Sequence, residues 1–334
     1  MTVRIQQPSV ATFTAMGTQC AVVVNGPPDL ARRGEARVHE LERRWSRFRP
    51  TSEISKLNRR ADDIVGVSNE TFVLVQRAVD AWHATNGAYD PTVLSAMVTL
   101  GYDRTFSEVL ARSGDGGYAD GPAGADGRHS HAGPSQPAPG CDGIVLDRSL
   151  RTVRLPPGTG IDPGGIGKGL AADFVAGELM TLGAHGVCVN MGGDVRVEGR
   201  SPTGDGWIIG IADPTSPSDL LLTVELEHGA VVTSTTLTRR WHRNGAALHH
   251  VLDPHTGTPA RSGVLAASVL TAEAWWAEAL AKVAIVRGAE AGARQITAVG
   301  ATGVIVTPDQ LYVLDGMAPF LVDPSSLSEK ELHP

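Results

Sequence analysis

A chain of 334 residues, 42% hydrophobic and 19% charged, is long enough to bury a sizeable core and has a globular composition. Its 36 acidic residues outnumber its 29 basic ones, for a net charge of −7, and no basic run stands out, which argues against nucleic acid or an anionic membrane surface as a partner. Three widely spaced cysteines (Cys20, Cys141, Cys188) suggest neither a metal pattern nor a disulfide framework. With no apolar leader-like core in residues 1–10 and no apolar run long enough for a bilayer, the expectation is a cytoplasmic protein without membrane insertion.

Residues 13–24 read as one strand, closed by Asn25-Gly26-Pro27-Pro28. Asp29 can cap a helix over 30–48, with Ala36, Val38, Leu41 and Trp45 on its apolar stripe. Residues 52–58 suit a short helical turn, and Ser68 with Glu70 opens a helix to about His83. Asn86-Gly87-Ala88-Tyr89-Asp90-Pro91-Thr92 is a loop with strong turn chemistry. Residues 112–142, rich in Gly, Ala and Asp, read as a flexible insertion within one domain over 12–320, with His129 and His131 as solvated loop residues.

A hairpin over 144–155 leads into the glycine-rich run 161–173, which becomes a helix to Met180. Four glycines around Lys168 suit a phosphate, whose charge bare amides and a helix N-terminus would face. A tight strand-to-helix turn with a solvated lysine fits equally, because the run matches neither standard glycine-loop motif. Further strands fall at 187–191, 207–211, 220–226, 230–233, 248–252 and 266–270, with a helix at 272–286 and a strand pair at 304–307 and 311–314. Without regular strand–helix alternation, the pattern favours α+β over a doubly wound sheet.

Polar signatures gather at turns. Asp90 and its neighbour Tyr89 can face a ligand or serve the turn itself. Asn190, Gly192, Gly193 and Asp194 follow a buried strand, where either a ligand-binding loop or a plain tight turn fits. Thr233-Ser234-Thr235-Thr236 is a hydroxyl run expected after a strand, and helix capping explains it equally well. His250 precedes Asp253 by three residues and can pair with it as a base. Neither G-x-S-x-G nor H-E-x-x-H is present, so hydrolases and metalloproteases of those types lack their mechanical parts.

The ordered set Met16-Gly17-Thr18, Glu42, Ser46-Arg47-Phe48, Ser52 to Asn58, Gly87 to Val93, Asp162 to Asp173, Gly192-Gly193-Asp194, Thr233-Ser234 and His250 to Gly257 resembles the ApbE family of FAD:protein FMN transferases. The resemblance implies an α+β, T-fold-like arrangement of mixed sheets and packed helices around a FAD cleft. It implies FAD as substrate, Mg2+ as metal, an acceptor flavoprotein with a Ser or Thr site, and release of AMP. By position, Met16, Tyr89 and Asp90 would contact the nucleotide. Asp162, Gly165 and Lys168 would hold the ribityl and phosphate region, with Asp194, Thr233 and Ser234 in the same cleft. His250 and Asp253 would be catalytic, and the Gly167 carbonyl and Glu278 would face the metal.

Two departures stand out. The family's metal helix carries Asp, then Thr or Asp four residues later. Here Glu278 and Lys282 take those places, and the Lys282 ammonium can stand where the ion would. Thr235 stands where the family usually has glycine, and its added Cβ can narrow the cleft or shift the loop. The function expected is FMN transfer. Its alternatives are a FAD carrier or redox protein without transfer, and a FAD pyrophosphate hydrolase.

Overall fold

The computed structural model describes residues 7–112, 136–204 and 206–323. Its frame is an eight-stranded antiparallel sheet whose spatial order follows chain order. The strands are β1 (Ser9–Ala15), β2 (Thr18–Asn25), β3 (Gly186–Met191), β4 (Val195–Gly199), β5 (His228–Thr235), β6 (Ala266–Thr271), β7 (Thr302–Val306) and β8 (Leu311–Val313).

The single strand expected over 13–24 is two. Met16 and Gly17 take left-handed backbone, with φ of 49° and 72°, and Ala15 pairs with Thr18 across a two-residue turn. An apolar residue at the turn concealed it from the hydrophobic pattern. The hydroxyl run also sits differently. Thr233, Ser234 and Thr235 lie inside β5 rather than after it. Thr235 Oγ1 donates to the Leu265 carbonyl at 2.8 Å, so its added side chain completes a turn beside the neighbouring strand.

Eight helices are described: α1 (Leu30–Trp45), α2 (Glu53–Arg59), α3 (Asn69–Ala84), α4 (Leu94–Thr99), α5 (Phe106–Arg112), α6 (Gly167–Thr181), α7 (Ala274–Arg287) and α8 (Ala289–Ala298). Helix α1 ends three residues before the expected stop. Ser46 turns to extended backbone (ψ 117°), which releases Arg47 and Phe48 from the helix.

One face of the sheet, through Val22, Val189 and Val232, packs on α1, α6 and α7. The other, through Val197, Val231 and Leu270, packs on the hairpin Trp207–Ala212 and Leu220–Leu226. Alternate residues of each strand therefore feed two cores, as a sheet covered on both faces requires. Helix α7 is buried almost all round, with Ala277, Leu280, Ala281, Ala284 and Ile285 at 0% exposure. An apolar helix of that kind belongs between layers. Glu278 and Lys282 are carried into the interior with it.

The insertion expected over 112–142 is docked at its C-terminal end. The Ala138 amide donates to the Pro254 carbonyl at 2.8 Å, the Gly140 amide to Thr92 Oγ1 at 2.9 Å, and Cys141 is buried. Residues 113–135, with His129 and His131, lie outside the described residues. Among the described residues, no helix is long and apolar enough to cross a membrane.

Candidate functional site

The run 161–173 does make a turn that opens a helix. Asp162 caps the 3-10 turn Pro163–Gly165, and α6 begins at Gly167. Asp162 Oδ1 accepts the Gly164 amide at 2.8 Å, while Oδ2 faces Arg47 Nε at 3.1 Å. Asn58, at the end of α2, holds the turn from below. Its side chain donates to the Ile161 carbonyl at 2.9 Å and accepts the Ile161 amide at 2.8 Å. The polar motif over 52–58 thus serves the site by fixing its backbone.

Lys168 is largely withdrawn from solvent, with 20% of its side chain exposed. The first turn of α6 lies against α7, placing Lys168 Nζ 2.7 Å from Glu278 Oε1 and in hydrogen-bond contact with Asp194 Oδ2. The Gly169 amide donates to Glu278 Oε2 at 2.9 Å. This approach needs a bare α-carbon, since a Cβ on residue 169 would stand 2.4 Å from the Ala274 carbonyl oxygen. Asp173, one turn further, accepts the Ala274 and Trp275 amides at 2.8 and 2.9 Å, so α6 caps the start of α7. Gly192 and Gly193, both left-handed at φ of 70° and 97°, turn the chain between β3 and β4 and deliver Asp194.

Glu278 is wholly enclosed. Lys282 sets its Nζ 3.2 Å from Glu278 Oε1, so one carboxylate receives two ammonium groups and an amide. Burial alone would raise the Glu278 carboxyl, but Lys168 and Lys282 hold it below the usual carboxylate range. Burial lifts Asp194 above that range against the pull of Lys168, and Glu278 adds to the rise. Burial works against the Lys168 ammonium, yet Asp194 and then Glu278 keep it above the ordinary lysine value. Burial depresses Lys282, with Glu278 opposing.

A cavity of about 320 Å³ opens beside this cluster. Its wall carries Met16, Tyr89, Asp90, Asp162, Gly165, Gly167, Lys168, His250 and Lys282, so most of the anticipated side chains converge. Trp45, Phe48, Tyr102 and Phe106 add aromatic surface, the mixture typical of a small-molecule site. Tyr89 packs so closely on Gly165 that a Cβ there would meet its ring at 2.5 Å, and its buried hydroxyl has no partner. Asp90 is committed to Thr92, at 2.7 Å to the amide and 2.6 Å to the hydroxyl, and to Trp82 Nε1 at 3.0 Å. Its wall position thus coexists with the turn role.

Five anticipated residues do not line the cavity: Asp194 and Glu278 stand behind it as the buried partners of Lys168, and Thr233, Ser234 and Asp253 are placed elsewhere. Thr233 Oγ1 bonds Ser268 Oγ at 2.7 Å. The His250–Asp253 pair is not formed. Asp253 Oδ1 accepts the His255 amide at 2.9 Å and lies 3.4 Å from His255 Nδ1, because it closes its own turn. His250 Nδ1 is buried without a partner. Burial first, then the charges of Arg239 and Lys282, drive its pKa well below the usual histidine value, so the imidazole is neutral.

Two arginines at the cavity escaped the sequence reading. Arg47 stacks over Phe48 and Tyr102, with its guanidinium carbon 4.2 and 4.8 Å from their ring centroids, while facing Asp162. Its signal was present in Ser46-Arg47-Phe48 but pointed to no role. Arg239 lines the wall from left-handed backbone, φ 46°, and its Nη2 makes a 3.5 Å contact to the Gly17 carbonyl. Nothing in Thr238-Arg239-Arg240 distinguishes it from a surface arginine.

The profile of the ApbE family matches residues 16–305. A Chlamydia trachomatis protein named FAD:protein FMN transferase is 28% identical over 247 residues, covering 72% of this chain and 70% of the relative. A Treponema pallidum protein of the same name is 29% identical over 309 residues, covering 82% and 77%. The crystal structure of the ApbE protein of Thermotoga maritima aligns with a TM-score of 0.77 at 25% identity, covering 95% of this chain and 100% of that one. The Pseudomonas stutzeri flavinyl transferase ApbE shares the fold with a TM-score of 0.76 at 22% identity, covering 97% and 99%. With the fold, the glycine turn around Lys168 and the match over most of its length in agreement, this chain belongs to the ApbE family.

Proposed function

We propose that this chain is a FAD:protein FMN transferase that moves FMN from FAD to a Ser or Thr hydroxyl of an acceptor protein. The observation that carries the reading is Lys168, fixed by two carboxylates at the mouth of a glycine turn and facing a ring-lined cavity. A dinucleotide needs that combination: apolar surface for its rings and a preorganised cation with amides for its pyrophosphate. Met16 and Tyr89 bound the nucleotide region, and Asp162 with Arg47 fixes the wall beside the ribityl and phosphate groups.

In this reading the acceptor oxygen bonds to the FMN phosphorus. The bond from that phosphorus to the oxygen bridging to the AMP phosphate breaks, and AMP leaves with the electron pair. The neutral His250 takes the hydroxyl proton. Its basicity is suppressed by burial and by Arg239 and Lys282, and a bound pyrophosphate offsets those charges. Asp253 acts here as a positioning residue for the turn after His250.

The test is incubation of purified protein with FAD and an acceptor carrying a flavinylation sequence. Flavin fluorescence on the denatured acceptor, with AMP released in equal amount, is the expected result. Bound FAD that stays intact would replace the transferase reading with that of a carrier. Free FMN and AMP without labelled acceptor would replace it with a hydrolase.

A further inference from the structure

Members of this family are expected to use a divalent cation, so the donor set beside the pyrophosphate wall has to be compared with what such an ion requires. Mg2+ takes near-octahedral oxygen ligands at about 2.1 Å. The carboxylates beside that wall do not fit. Glu278 Oε1 is already the acceptor of two ammonium groups, at 2.7 and 3.2 Å, and Oε2 is held by the Gly169 amide. Asp194 Oδ2 is in contact with Lys168. Among the described residues, no group of three His, Cys, Asp or Glu side chains is arranged to hold a metal. A cation entering beside Glu278 would meet Lys282, which is itself only partly withdrawn from the cavity wall.

We propose that Lys282, together with Lys168 and Arg239, is the resident cation set of this site, and that the chain engages a dinucleotide pyrophosphate without any divalent ion. This rests on the FAD reading above. Each lysine ammonium carries three N–H donors. Those of Lys168 go to Asp194 and Glu278, and those of Lys282 to the carboxylate and carbonyl of Glu278, which leaves a donor on each for the cavity both line. Arg239, held by one long contact to Gly17, adds a guanidinium fork to the same wall. Three cations against Asp194 and Glu278 leave a net positive charge where the dianionic pyrophosphate would lie. During transfer the charge that gathers on the departing AMP phosphate meets these fixed donors. No ion has to be recruited or released.

The direct test is a FAD fluorescence titration of the intact protein in EDTA and again in millimolar Mg2+, with Mn2+ binding to the FAD-free and FAD-bound protein followed by electron paramagnetic resonance. The expected dissociation constants agree within about twofold, as linkage demands when the ion has no site. No Mn2+ signal is bound in either state. AMP release in the acceptor assay persists in EDTA. Replacing one charged hydrogen-bond donor, as in Lys282→Met, weakens FAD by about ten- to a hundredfold, and Lys282→Arg recovers most of it. FAD binding or AMP release that appears only with Mg2+, or stoichiometric Mn2+ binding, would overturn the proposal while leaving the transferase reading in place. FAD that fails to bind under either condition would sink both. Because the wild-type titrations need no variant, poor folding of Lys282→Met cannot obscure the outcome.

Discussion

Alanine at position 169 tests whether the seam between α6 and α7 builds the site. Its Cβ would stand 2.4 Å from the Ala274 oxygen, 2.6 Å from the Ala274 carbonyl carbon and 2.7 Å from the Trp275 nitrogen. All three are backbone atoms, so no rotamer change relieves the overlap. Ordinary contact is reached only if α7 retreats by roughly 1 Å. Overpacking of this kind costs about 1–3 kcal/mol, against which alanine's better helix propensity returns about 1 kcal/mol, for a net loss of ~0–2 kcal/mol. Gly177→Ala, two turns along the same helix, is the control. That residue is exposed, and its added Cβ meets nothing within 4 Å. The same substitution there should stabilise by about 0.5–1 kcal/mol. Retreat of α7 also stretches the bonds that Glu278 makes to Gly169 and Lys168, now 2.9 and 2.7 Å, beyond useful length. Urea denaturation of both variants and FAD titration of each supply the comparison. If Gly169→Ala is as stable as wild type and binds FAD equally well, the close seam is not what positions Lys168.

Glu278→Gln keeps the volume but leaves two ammonium groups with Asp194 as their remaining carboxylate, and urea melts should show a loss of about 3–5 kcal/mol. Asp173→Ala removes the cap on two α7 amides and the carboxylate that forms an ion pair with Arg196, Nε 3.2 Å away without hydrogen-bond geometry, for roughly 2–4 kcal/mol by the same measurement. Tyr89→Phe deletes a buried hydroxyl with no partner, so the free protein should gain about 1 kcal/mol while FAD binds several-fold more weakly, read by paired melts and titrations. Burial depresses His249 to about 4 and His250 well below 6.5, so both stay neutral in the fold while the unfolded chain takes up protons. Their contribution is intact above pH 6.5 and is lost as the pH falls from there toward 4, which a pH series of melts on wild type and His249→Gln would show as a shallower acid decline in the variant.

Much of this was legible in the sequence because it depends on local rules. The turn Pro163–Gly165, the helix α6 and the strand before Asp194 each carry their own glycine and apolar signals. The break at Met16-Gly17 was missed because a left-handed apolar residue does not announce a turn. The supposed His250–Asp253 pair failed for a related reason. A spacing of three suggests proximity, but Asp253 had a closer partner in its own turn, the His255 amide. Long-range partners were out of reach altogether. Nothing local says that Asn58 will clasp Ile161, or that Asp173 will cap a helix starting 101 residues later. Arg239 was invisible because its significance lies in the wall it reaches, not in its neighbours along the chain.

The cavity is also where the fold leaves interactions unfinished. Six buried side-chain polar atoms lack a hydrogen-bond partner among the described residues, and two of them, the Tyr89 hydroxyl and His250 Nδ1, belong to residues on the cavity wall. Each such group weakens the free protein by about 1–3 kcal/mol. A core optimised for stability alone would have replaced them with apolar side chains, just as it would have replaced the Lys168–Glu278–Lys282 cluster, since well-packed hydrophobic residues commonly match or exceed a buried ion pair. Unpaired polar atoms and surplus positive charge on one wall therefore point the same way. A bound anion with hydrogen-bonding groups recovers what the empty fold forgoes, and its affinity derives from the features that make the free protein less stable.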